Sequence, residues 1–142
     1  LGGFFAVHYG EDWEMWIRIA SRYKVAYSSK CLATYRDGHN SNISTKSILS
    51  VENFRDLSTI IDIAKNYIPE SKRKSIRHLA KKNFSISYAK YSYKLFKKNH
   101  ANEKIAVKLA LGALKFNINI KSVYWASRLC VAYLESFLRK NN

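Results

Sequence analysis

The sequence predicts an α/β segment over residues 1–46 that runs into an all-α region over residues 47–142, helical overall. Three observations predict it. Short alternating apolar runs before about Ser47 give way to a helical repeat of apolar positions that continues nearly to the end. The charge balance changes at the same place. Residues 1–46 hold six Lys/Arg against four acids, net +2, while the remaining 96 residues hold nineteen against six, net +13. Finally, helix breakers are scarce, with one Pro (Pro69) and five Gly in 142 residues.

The elements follow in order. Glu11 and Asp12 precede Trp13, Trp16, Ile17 and Ala20, whose i, i+3, i+4, i+7 spacing predicts one buried helix face. Glu14 and Arg18 lie four apart in the favourable acid-first order, and acids in the first turn suit the positive end of the helix dipole. Residues 23–27 and 32–36 read as two short strands around the polar Ser28-Ser29-Lys30, and 37–42 as a loop. Four helices are expected next. The first spans about Ile48–Tyr67, with Leu49, Phe54, Leu57, Ile60, Ile61 and Ala64 inward and Pro69 closing it. The others run Glu70–Lys98, Asn102–Phe116 and Lys121–Arg139, joined by the short connectors Asn99-His100-Ala101 and Asn117-Ile118-Asn119. Ala89–Asn117 resembles a single tetratricopeptide-like helix pair, with Ala110, Gly112 and Ala113 small enough for close approach; one such unit makes no repeat array.

Composition bounds the function classes. With 47% hydrophobic and 25% charged residues the chain reads as globular, and a disordered tail is excluded. A net charge of +15 attracts polyanions, whether nucleic acid, anionic lipid or nucleotide diphosphate. Cys31 and Cys130 stand 99 positions apart without a CxxC or a metal-like His spacing, so a reduced, cytoplasmic setting is the default. No run approaches 18 uncharged apolar residues and no signal peptide opens the chain. The opening Leu1-Gly2-Gly3-Phe4-Phe5, without Met, reads as entry into a domain already under way.

Four elements recur together in the first third of the chain: Gly2-Gly3-Phe4; Gly10-Glu11-Asp12-Trp13-Glu14-Met15-Trp16-Ile17-Arg18; Tyr35-Arg36 with His39; and Ser41-Asn42-Ile43-Ser44. In that order they resemble the end of the catalytic domain of family-2 (GT-A type) glycosyltransferases. The resemblance implies a C-terminal piece of a nucleotide-diphospho-sugar transferase, moving a sugar from a nucleotide-sugar donor to a surface-glycan or lipid-linked acceptor with inversion. It makes Asp12 the catalytic base, since a positioned carboxylate can take the acceptor hydroxyl's proton. It places Glu11, Trp13, Gly3, Arg36 and His39 around the substrates, with Arg36 anchoring the diphosphate. It also implies a divalent metal, Mg or Mn, neutralising the leaving diphosphate in the full-length enzyme, though none bound to this piece. Asp12 and Glu14, two apart on a helix, point in different directions, so the family's metal motif is expected upstream.

The bland readings stand beside these. Glu11 and Asp12 are also what a helix start uses as capping acids. Trp13 and Trp16 read as core residues rather than an acceptor platform, because they share a face with Ile17 and Ala20. His39 follows Arg36 by three where the family has two; it suits a metal or phosphate contact as readily as a solvated loop.

The basic helical region has its own reading. Lys72-Arg73-Lys74, Arg77, Lys81-Lys82, Lys90, Lys94, Lys97-Lys98, Lys104, Lys108 and Lys115 repeat at helical spacing with few acids between them. With Tyr88, Tyr91, Tyr93, Tyr124 and Trp125 as interfacial aromatics, it would hold the protein on the anionic inner face of the cell membrane. The alternative to an enzyme piece is therefore a basic helical binding module for anionic membrane or nucleic acid. Membrane is favoured over nucleic acid, because no RNA- or DNA-binding motif accompanies the charge, and a solvated face that only aids solubility stands as a third reading. Self-association of the helical region is compatible with the same pattern.

Overall fold

The computed structural model describes residues 2–5, 9–34, 43–98 and 102–141. Helix α1 spans Glu11–Ala20, α2 Ile43–Ser50, α3 Asn53–Ala64, α4 Glu70–Lys98, α5 Glu103–Phe116 and α6 Ile120–Asn141, with a short 3-10 turn at Lys65–Tyr67. The chain forms two compact units, Leu1–Arg77 and His78–Asn142, and the division falls inside α4.

The predominantly helical expectation is met; the α/β expectation is not. No strand occurs among the described residues. Residues 24–29 and 31–34 lack regular structure and their side chains are exposed. Val25, Tyr27 and Leu32 are 75%, 92% and 76% exposed. A strand is stable only when a neighbour accepts and donates its ladder hydrogen bonds, and alternating side chains cannot supply that neighbour. Tyr35 and Arg36 of the second expected strand, and the loop 37–42, lie outside the described residues.

In the first unit, α1 turns its buried side elsewhere than its apolar pattern suggests. Glu14 is 1% exposed, whereas Trp16 is 59% exposed, Ile17 and Ala20 are exposed, and Trp13 is half-buried. The cause is a close approach to α3. Gly10, with φ 81°, precedes the helix, and a Cβ placed on it would lie 2.9 Å from Ile60 Cδ1. That approach carries Trp13 and Glu14 inward. Glu14 forms an ion pair at 2.9 Å with Arg18, whose guanidinium also donates to the Gly3 carbonyl at 2.7 Å. The expected Ile48–Tyr67 helix is split into α2 and α3. Val51 adopts φ 66°, which interrupts the helical hydrogen-bond series. The inward face survives the break: Leu57, Ile60, Ile61 and Ala64 are buried, with Leu49 and Phe54 half-buried.

In the second unit the expected helices hold to within about two residues. Helix α4 is opened by Pro69 and Glu70 and closed by Lys97 and Lys98, each charge complementing the dipole end it occupies. Its buried Ser85, Tyr88, Ala89, Ser92 and Phe96 keep one helical face. Phe96 meets Ala106 and Ala110 of α5 and Leu129 and Ala132 of α6 in a core whose small residues let the helices approach closely. The turn into α6 is tied down by a reciprocal cap. The Ser122 N–H donates to Asn119 Oδ1 at 3.0 Å, and the Asn119 N–H donates to Ser122 Oγ at 3.1 Å. The Ser85 hydroxyl of α4 donates to the Asn117 carbonyl at 2.5 Å, fixing that turn against α4. These contacts set the rotation of α6 about its own axis, and so decide which of its residues face outward.

Candidate anionic-surface site

Charge separates the two units sharply. Residues 78–142 carry thirteen Lys/Arg and two acids, Glu103 and Glu135, net +11 on 65 residues; residues 1–77 carry twelve against eight. The ion pairs Glu14–Arg18, Arg55–Asp56 and Asp62–Arg77 all lie in the first unit. Two carboxylates cannot neutralise thirteen cations, so the second unit projects a positive field whatever its local pairing.

Within that field one cluster is ordered by aromatic rings. Arg128 of α6 donates from Nη2 to the Tyr93 hydroxyl of α4 at 3.1 Å and from Nη1 to the Tyr124 hydroxyl at 3.3 Å. Its guanidinium carbon lies 5.3 Å from the Tyr93 ring centroid. Trp125 sits beside both rings, 5.6 Å from Tyr93 and 5.3 Å from Tyr124, and the Lys90 ammonium lies 5.5 Å from the Trp125 ring. Donating to the Tyr93 hydroxyl, and next to that of Tyr124, raises the Arg128 pKa above its ordinary value. The guanidinium is thus held in place by hydroxyls instead of being neutralised by a carboxylate. Its other N–H groups face solvent, in the fork geometry that suits phosphate oxygens. Two fixed cations, Arg128 and Lys90, flank one aromatic platform.

Beside this cluster α6 exposes an apolar stripe. Ile120, Val123, Val131, Leu134 and Leu138 recur at helical spacing and are between 44% and 90% exposed. Next to it, between α5 and α6, runs an open groove of about 470 Å³ lined by Val107, Leu111 and Leu114 on one side and Cys130, Tyr133 and Leu134 on the other. Helix α6 therefore buries one apolar face against α4 and α5 and leaves a second one outward.

The residues singled out from the sequence are dispersed. Asp12 is half-buried in the first turn of α1, where its Oδ1 accepts the Trp13 backbone N–H at 2.9 Å, the local role of an acid at a helix start. Glu11 and Trp13 are half-buried on the same helix, and Trp13 packs edge-on to Tyr9 at 5.9 Å. The exposed Gly3 is held by Arg18 through its carbonyl. Arg36 and His39 lie outside the described residues. No group of three or more His, Cys, Asp or Glu that could hold a metal ion occurs among the described residues. Of the aromatics expected at an interface, Tyr93, Tyr124 and Trp125 come together and Tyr91 is exposed, but Tyr88 is buried in the core at 7% exposure. No helix among the described residues is long and apolar enough to cross a membrane.

Arg128 and the outward stripe of α6 escaped the sequence reading. A usable signal was present: α6 carries apolar residues around too much of its circumference for one core-facing side to bury.

Compared with known proteins, the chain matches no family model, no curated protein and no solved structure. With no family match and no strand among the described residues, the family-2 glycosyltransferase resemblance is withdrawn. Of the four short elements that carried it, residues 11–18 are part of a helix opened by acids and Ile43 and Ser44 begin α2, while Tyr35, Arg36, His39, Ser41 and Asn42 lie outside the described residues. The nucleotide-sugar donor, glycan acceptor, divalent metal and base role of Asp12 all came with that resemblance and are not carried further.

Proposed function

We propose that residues 78–142 form a peripheral binding module for anionic membrane surfaces. One observation carries the reading: thirteen cations against two acids on a 65-residue helical unit, with Tyr93, Tyr124 and Trp125 gathered around Arg128 and Lys90. An anionic surface attracts each nearby Lys or Arg by about 1 kcal/mol, within a Debye length of roughly 8 Å at physiological salt. Tyr and Trp, apolar in body and polar at the tip, suit the headgroup level where such cations rest. The long stems of Lys82, Lys90, Lys94 and Lys97, all exposed on α4, allow their ammonium groups to reach phosphates without unfolding the helix.

The test is co-sedimentation of the chain with phosphatidylglycerol vesicles and with phosphatidylcholine vesicles, at low and physiological salt, with and without duplex DNA as competitor. Binding to the anionic vesicles alone, falling steeply as salt rises, is the expected result. No binding to anionic vesicles even at low salt would leave the charge as a solubility feature. Tight, sequence-selective capture by DNA would replace membrane with nucleic acid.

A further inference from the structure

We infer that the groove between α5 and α6 receives an acyl chain of an anionic phospholipid, so that the second unit inserts as well as adheres; this rests on the peripheral-membrane reading above. The groove has the bulk for a small apolar ligand, since about 470 Å³ lies within the roughly 300–1,000 Å³ range of such sites. Its lining is Val, Ala, Leu, Cys and Tyr, and supplies almost nothing for a polar occupant to bond.

Three features choose the occupant. The first is charge at the lips. Lys104, Lys108 and Lys115 are exposed along the α5 lip beside Leu111, while Lys121, Arg128 and Arg139 lie beyond the α6 stripe, on the flank away from the groove. An occupant must therefore be apolar within and negative at the end that meets α5. The second is the order of chemistry around α6. At 3.6 residues per turn, the basic strip of Lys121, Arg128 and Arg139, which also holds the exposed Glu135, is followed by Tyr124, then by Val131, Ile120 and Leu138 with Ser127 among them, and then by Leu134 and Cys130 at the groove. Cation, amphipathic aromatic, aliphatic: this is the gradient met on passing from phosphates into acyl chains. The third is the net +11, which opposes a second copy of the same surface. Phosphates at Lys104, Lys108 and Lys115 with an acyl chain against Leu111 and Leu134 satisfy all three.

The chain supplies its own probes. Cys130 lines the groove, and Cys31, in the first unit, is exposed. A small environment-sensitive fluorophore is placed on Cys130 in the Cys31→Ser chain, and on Cys31 in the Cys130→Ser chain. Each is mixed with phosphatidylglycerol vesicles containing a lipid with a nitroxide on its acyl chain. The Cys130 label should shift to the blue and be quenched at least about twofold more than the Cys31 label. In the unlabelled chain, Leu134→Glu should lower partitioning by about tenfold or more at an unchanged melting temperature, because an exposed leucine that would be buried in lipid becomes a carboxylate.

If the chain sediments with the vesicles but the Cys130 label is quenched no more than the Cys31 label, and Leu134→Glu partitions as the parent does, the groove is not a lipid seat and charge-driven binding stands alone. Failure to sediment at all removes the membrane reading itself. A blue shift at Cys130 that grows with protein concentration in the absence of lipid overturns the lipid assignment in favour of a second copy.

Discussion

Arg128 on α6 is joined to Tyr93 on α4 twice over, by a hydrogen bond of 3.1 Å to the phenol oxygen and by the approach of its guanidinium carbon to 5.3 Å from the ring centroid. A tyrosine in this place orients the cation without cancelling it. Replacing Arg128 by Ala should weaken partitioning onto phosphatidylglycerol vesicles by about fivefold, corresponding to one cation at the surface. Tyr93→Phe, which keeps the ring and removes the acceptor, should weaken it less. Equal partitioning of Arg128→Ala and the parent would take this cluster out of the membrane contact.

Glu14 is buried and paired with Arg18, so its removal leaves a guanidinium facing a gap in the first unit. Glu14→Ala should destabilise the fold by about 3–5 kcal/mol, the cost of breaking rather than replacing a buried pair. Thermal unfolding followed by circular dichroism would measure it; a melting temperature equal to that of the parent would show that the pair contributes nothing.

Asn53 opens α3 fully buried, and neither amide atom of its side chain has a hydrogen-bond partner among the described residues. A buried amide without partners costs about 1–3 kcal/mol, and an apolar side chain of like size does not incur that cost. Asn53→Leu should therefore raise the urea midpoint at an unchanged slope. A lowered midpoint would mean that the amide is satisfied in solution.

Backbone geometry yields an opposed pair of expectations. Gly10→Ala puts a side chain on a residue with φ 81°, 2.9 Å from Ile60 Cδ1, and should destabilise by about 1–3 kcal/mol. Val51→Gly relieves a β-branched residue at φ 66° and should stabilise by about 1 kcal/mol. Both are read from unfolding midpoints, and a change of the same sign in the two variants would contradict them.

At the start of α6, Asn119 and Ser122 cap one another. Asn119→Ala should cost about 1 kcal/mol. Because the same turn is tied to α4 through Ser85, it should also reduce vesicle partitioning out of proportion to the small loss of stability. Unchanged partitioning would show that the turn does not set the rotation of α6.

Local chemistry was legible wherever it sufficed. Glu70 after Pro69, and Lys97-Lys98 at the far end, define α4 by dipole and proline geometry that need no partner, and the Asn117-Ile118-Asn119 connector is set by short polar side chains bonding their own backbone. The Glu14–Arg18 pair follows from spacing alone. Its burial does not, because that depends on Gly10 admitting Ile60, a contact between residues fifty positions apart. The strands expected near 23–27 and 32–36 are absent over the described residues 23–34 for the converse reason: alternation states which side chains would share a face, but only a neighbouring strand can supply the ladder. The cations of residues 78–142 were countable from the sequence. Only packing could select Arg128, by bringing Tyr93 of α4 to it across 35 positions, and only packing could divide the apolar residues of α6 into a buried face and an outward one. A helix specifies the angle at which each side chain leaves its axis, while its rotation against its neighbours is decided by the core it joins.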